Sequence, residues 1–157
     1  TQVLNLFIVG IGNVGQHLLE QIRLQHDNLL KNKALELRVV GISNSRKCVF
    51  DREGIDISNH KKLLEDSEII ATPDNIKEGV ISMNIFNSVF VDCTANDGVA
   101  SLYADLLSHN VNVVAANKIA ASSCYKNYSK LKQIARKKDV KFLFETNDKF
   151  IINLEQS

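Results

Sequence analysis

Three glycines stand where this chain could meet a charged ligand. Gly10, Gly12 and Gly15 lie between an apolar run, Leu4 to Val9, and a stretch whose apolar residues recur at helical spacing. A strand, a glycine turn and a helix in that order are what a dinucleotide pyrophosphate site requires. Each glycine has its own task. Gly10 permits the tight turn off the strand, Gly12 lets the backbone approach the diphosphate with no Cβ in the way, and Gly15 lets the helix lie close on the sheet. Amide groups at the helix start then face the anion, helped by the positive end of the helix dipole. A turn of this kind can also do no more than join a strand to a helix, but here the flanks on both sides suit the coenzyme.

The ends of the later strands carry the other polar groups. An NAD site places an Asp or Glu at the end of the second strand to hold the ribose 2′-hydroxyl, whereas this chain has Ser43-Asn44-Ser45-Arg46-Lys47. A guanidinium beside an ammonium, with no carboxylate near, favours the 2′-phosphate of NADP. NAD is the alternative if Arg46 and Lys47 are only solvated loop charges. Further on, Asp92-Cys93-Thr94 ends an apolar strand. The Thr94 hydroxyl suits the nicotinamide ribose, and suits equally well the cap of the helix that follows. The next strand end reads Ala115-Ala116-Asn117-Lys118. There the Lys118 ammonium could orient a substrate carbonyl or stabilise charge developing on its oxygen during hydride transfer. A lysine just past a strand is more often simply solvated.

Alternating strand and helix patterns position these groups. Helix is expected from Val14 to Leu30 and strand from Leu37 to Ser43, with loop from Asn44 to Asn59. Thr72 and Pro73 open a helix as N-cap and first helical residue, with Ile76, Val80 and Ile81 as its apolar stripe. Ser88 to Cys93 reads as a buried strand, Val99 to Ser108 as a helix and Val111 to Ala115 as a strand. A basic amphipathic helix capped by Ser122 or Ser123 runs through Leu131 and Ile134, and Lys141 to Glu145 is a last strand. Continuous apolar strands between helices predict an α/β fold, a doubly wound, mostly parallel sheet of Rossmann type.

Composition narrows the class. The 157 residues are 45% hydrophobic and 24% charged, enough for a proper core, and the net charge of +1 gives no pull toward nucleic acid or a membrane surface. The 3 cysteines, Cys48, Cys93 and Cys124, lack the paired spacing of a metal site or a disulfide framework. A reduced, cytoplasmic setting with no bound metal is expected. No stretch reads as a membrane span or a signal peptide.

Taken together, Gly10-Ile-Gly12-Asn-Val-Gly15, Gly41-Ile-Ser-Asn-Ser45, Val91-Asp-Cys-Thr94, Ala116-Asn-Lys118 and Phe144-Glu-Thr-Asn147 resemble the nucleotide-binding domain of homoserine dehydrogenase. The likeness is greatest to the form fused behind aspartokinase. It implies interconversion of L-homoserine and L-aspartate 4-semialdehyde in threonine and methionine biosynthesis, by a homo-oligomeric full-length enzyme. It also implies that Gly12, Asn13 and Val14 touch the pyrophosphate, Arg46 the adenosine phosphate, Thr94 and Asn117 the ribose and nicotinamide, and Lys118 the reacting centre.

The resemblance runs through residues 1–147, the expected dinucleotide-binding domain. Residues 148–157 diverge where the family continues into a hinge and a substrate domain. A fragment that binds coenzyme but does not turn over substrate alone is therefore expected. Two other readings stay open. One is the cofactor domain of another dehydrogenase, such as one acting on aspartate semialdehyde through a nucleophilic cysteine. The other is a non-catalytic nucleotide-sensing module.

Overall fold

The computed structural model describes residues 1–116 and 125–144. The chain begins with β1 (Gln2–Val9), α1 (Asn13–Lys33) and β2 (Leu35–Ser43). Gly15, Leu18, Leu19, Ile22 and Leu29 recur on one face of α1 and are buried there. The helix stops at Ala34, whose left-handed backbone turns its N–H to the Leu29 carbonyl.

β2 carries a bulge. Leu6 pairs with Val39 but Phe7 pairs with Gly41, so Val40 is the extra residue. Leu35, Leu37 and Val39 pack on the α1 side of the sheet, Val40 on the opposite side, and Ile42 on the α1 side again. Without the bulge, strict alternation would send Ile42 to the wrong face.

The segment expected to be loop from Asn44 to Asn59 is partly structured. It contains β3 (Lys47–Phe50) and a 3-10 turn (Ile57–Asn59), followed by α2 (His60–Asp66) and β4 (Ile69–Ile70). The Asn44 side chain drives the reversal. Its Oδ1 accepts from the amides of Arg46 at 2.8 Å and Lys47 at 2.7 Å, an Asx turn that folds β3 back against β2. The hairpin is then held by packing, because the Phe50 ring lies over Gly79, where an added Cβ would sit 2.3 Å from ring atoms.

α3 (Pro73–Met83) starts as its residues predict, with the Thr72 hydroxyl accepting from the Asn75 amide at 3.1 Å and Pro73 in the first turn. After β5 (Ser88–Asp92), the single helix expected from Val99 to Ser108 is broken into α4 (Asp97–Ala100) and α5 (Tyr103–Ser108). The break has a local cause. Leu102 N–H bonds the Val99 carbonyl three residues back, and the Ser101 hydroxyl donates to the Gly98 carbonyl at 2.6 Å. The tightened turn re-aims α5 so that Tyr103, Leu106 and Leu107 are all buried. β6 (Asn112–Ala115), α6 (Tyr125–Lys138) and β7 (Phe142–Phe144) complete the series. The expected Ser122/Ser123 cap lies outside the described residues.

The 7-stranded sheet has the order β4-β3-β2-β1-β5-β6-β7. β2, β1, β5, β6 and β7 are mutually parallel, while β3 and β4 add an antiparallel edge beyond β2. α1 and α2 bury one face of the sheet, and α3, α5 and α6 the other. This is the doubly wound, mostly parallel architecture expected from the sequence. Its strand order reverses between β1 and β5, the place where such sheets open a crevice for ligand.

Candidate functional site

At the carboxyl end of β1 the glycine turn is fixed by β2. The amides of Gly10 and Ile11 both donate to the Ser43 carbonyl, at 2.8 and 3.0 Å, and the Gly12 amide donates to the Gly10 carbonyl at 2.9 Å. The three glycines are needed for three different reasons. Gly10 has φ +94°, and a Cβ there would also stand 2.8 Å from the Thr94 methyl. Gly15 faces the turn itself, where a Cβ would fall 2.2 Å from the Gly10 carbonyl oxygen. Gly12 is the opposite case, with nothing within 4 Å of the Cβ position. Two glycines are demanded by the fold, and the third looks onto open space.

That space suits an anion. Gly12 is the N-cap of α1, so no side chain caps the helix, and its first turn holds no acidic residue. Asn13 is exposed there and Val14 is 46% exposed. A helix start with an uncapped entry and no competing carboxylate is where backbone amides receive a phosphate group.

Across the switch point, Asp92 ends β5 fully buried. Its Oδ1 accepts from both the amide (2.8 Å) and the hydroxyl (2.6 Å) of Thr94, and its Oδ2 accepts from the Tyr103 hydroxyl. Burial raises the Asp92 carboxyl above its ordinary value, against the lowering effect of these bonds. The Asp92 carbonyl accepts from the Ala116 amide at 2.8 Å, joining the ends of β5 and β6. Sequence reading missed Asp92 and Tyr103, although an aspartate closing an otherwise apolar strand signals a carboxylate that must find partners inside. Thr94 is not the helix cap. Asn96 takes that place, its side chain accepting from the Val99 amide at 3.1 Å.

At the end of β2, Ser45 and Arg46 are exposed at the hairpin tip, with Asn44 half-buried behind them. The Arg46 carbonyl is held by the Ala71 amide at 2.9 Å. Lys47, expected to share the anionic ligand with Arg46, has another partner. Its ammonium donates to the Ser67 carbonyl at 2.6 Å. The difference follows from strand alternation, since Lys47 already belongs to β3. Asn117 and Lys118 lie outside the described residues, as does Cys124.

Neither described cysteine is poised as a nucleophile. Burial, and then the neighbouring Asp92 charge, pushes the Cys93 thiol up to about 12, and burial also raises that of Cys48. Among the described residues no group of His, Cys, Asp and Glu comes together to hold a metal ion, and no helix is long and apolar enough to cross a membrane.

Residues 10–145 match the model of the NAD-binding domain of homoserine dehydrogenase. The chain is 37% identical over 146 residues to the bifunctional aspartokinase/homoserine dehydrogenase of Haemophilus influenzae, which covers 93% of this chain and 18% of that protein. It is 37% identical over 139 residues to the chloroplastic bifunctional enzyme 2 of Arabidopsis thaliana, 88% of this chain and 15% of that protein. The chain thus spans less than a fifth of these relatives. Among solved structures, homoserine dehydrogenase of Thermoplasma acidophilum superposes with a TM-score of 0.68 at 25% identity, over 92% of this chain and 43% of that one. A hyperthermophilic archaeal homoserine dehydrogenase in complex with NADPH superposes with a TM-score of 0.72 over 92% of this chain and 44% of its own, at 22% identity, a likeness of fold.

Proposed function

The chain belongs to the family of homoserine dehydrogenase NAD-binding domains, and on that premise we propose that it holds NADP in an enzyme interconverting L-homoserine and L-aspartate 4-semialdehyde. The open space over Gly12, beside two glycines that the fold itself demands, carries the reading. The backbone of Gly12, Asn13 and Val14 receives the pyrophosphate at the start of α1. Exposed Arg46 takes the 2′-phosphate, on a hairpin that offers it no competing acid between Ser43 and Lys47. Thr94, Ala116 and Asn117 serve the nicotinamide end. When bound, the coenzyme supplies the hydride that reduces the aldehyde. Lys118 orients the substrate carbonyl and stabilises the charge that grows on its oxygen.

Substrate recognition belongs to parts of the enzyme that this chain does not span. We therefore assign residues 1–147 to the coenzyme domain, within a cytoplasmic, homo-oligomeric polypeptide that also carries aspartokinase and serves threonine and methionine synthesis. The 157 residues alone bind coenzyme without turnover.

Thermal unfolding tests the coenzyme assignment, because a ligand that prefers the folded chain raises its Tm. NADPH should raise it more than NADH at equal concentration. No shift with either nucleotide at millimolar levels would overturn the proposal.

A further inference from the structure

The buried carboxylate at the end of β5 is an expensive group to place in a core, and its bonds are distributed in a telling way. Asp92 gives one oxygen to the two donors of Thr94 and the other to the Tyr103 hydroxyl. Tyr103 is itself fully buried on α5, its ring 5.7 Å from that of Phe142 on β7, so its hydroxyl is delivered to Asp92 by a packed, immobile ring. At the other end of the relay, the Thr94 methyl stands 2.8 Å from where a Gly10 Cβ would be. Thr94 is thus one wall of the glycine turn, and the Asp92 carboxylate decides where that wall stands.

We infer that Tyr103 is a positioning residue for the nicotinamide half of the coenzyme, acting through the Asp92 carboxylate on the turn at Thr94. The inference rests on the coenzyme reading above and adds to it a residue that touches no ligand. The 2′-phosphate contact has supports of its own. Arg46 is anchored by the Ala71 amide on its carbonyl and by the Asn44 side chain on its own amide. Loss of the Tyr103 hydroxyl should therefore separate the two halves of the ligand.

The test compares NADPH with 2′,5′-ADP, which carries the adenosine phosphates and lacks the nicotinamide riboside, by calorimetric titration of the 157-residue chain. Tyr103→Phe should weaken NADPH about fivefold to tenfold, the loss expected when about one net hydrogen bond to the ligand is misplaced. Affinity for 2′,5′-ADP should change less than about twofold, within the spread expected for an uninvolved site. Asp92→Asn cuts the relay at its centre without removing a group assigned to the ligand, and reads the same contrast if Tyr103→Phe does not fold. When both variants fold, the double variant should lose little more than either single one, because both cut one relay. Equal weakening of the two ligands, or of neither, overturns the inference while leaving the coenzyme reading intact. A wild-type chain that binds neither ligand overturns both.

Discussion

Substituting the turn glycines one at a time should separate folding from binding. In Gly15→Ala the new methyl would stand 2.2 Å from the Gly10 carbonyl oxygen and 3.0 Å from its carbon, both of them backbone atoms that cannot swing aside. Overpacking against backbone costs about 3 kcal/mol, of which the better helix propensity of alanine returns about 1. The net loss of about 2 kcal/mol lowers Tm by about 4–8 °C in a chain of this size. In Gly12→Ala the methyl meets nothing within 4 Å, and the backbone at φ −104°, ψ −148° is open to any residue. A slightly poorer N-cap is offset by a less flexible unfolded chain, leaving stability within about 0.5 kcal/mol. On the proposed coenzyme assignment that methyl stands where the diphosphate would approach, so NADPH should bind at least about tenfold more weakly. At a concentration of about 100 times the wild-type Kd, NADPH stabilises the parent chain by about 2.7 kcal/mol and the variant by about 1.4. Circular dichroism melts with and without NADPH give both quantities, since the chain has no tryptophan. A Gly12→Ala chain as unstable as Gly15→Ala, or one that keeps the full NADPH shift, would refute the reasoning.

Arg46→Ala should weaken NADPH about tenfold and NADH hardly at all, whereas Lys47→Ala, which removes the bond to the Ser67 carbonyl, should lower Tm without altering the ratio of the two affinities; the opposite pattern in fluorescence titrations would return the phosphate contact to Lys47. With its thiol pushed up to about 12, half-buried Cys93 should label slowly with a thiol reagent at neutral pH in the folded chain, and rapid labelling detected by peptide mass spectrometry would contradict the raised thiol beside Asp92. Asp92 has a folded-state pKa above its ordinary value of 3.8, so the folded chain keeps a proton that the unfolded chain releases as pH rises through that window. Its contribution to stability falls with rising pH there, and the cost is fully present above the folded value. In urea unfolding from pH 3.8 upward, the stability of the wild type relative to Asp92→Asn should therefore decline, and a flat or rising difference would argue against a raised carboxyl.

The parts of the fold that the sequence exposes are those with long, regular patterns. β1, the glycine turn and α1 could be read because eight apolar-rich residues and then helical spacing bracket glycines with distinct duties. β3 and β4 were hidden, being strands of 4 and 2 residues inside a polar stretch, too short for any period to show. β3 folds back through the local turn at Asn44, and its place is set by the fit of Phe50 against Gly41 and Gly79, residues apart from it in sequence. The break between α4 and α5 was invisible for a similar reason, since Val99, Leu102 and Leu106 keep helical spacing across it. At the candidate site, the glycines and Arg46 are proposed from type and position alone. Tyr103 did not, because a tyrosine among apolar neighbours reads as core until the strand-end aspartate is seen beneath it.

One carbonyl group joins the glycine turn to the strand end that leads to Arg46. Ser43 receives the amides of Gly10 and Ile11 on its oxygen, and the very next residue, Asn44, begins the reversal that carries Arg46. The proposed diphosphate contact and Arg46 thus hang from one strand end, so a change that shifts the Ser43 carbonyl would disturb both at once.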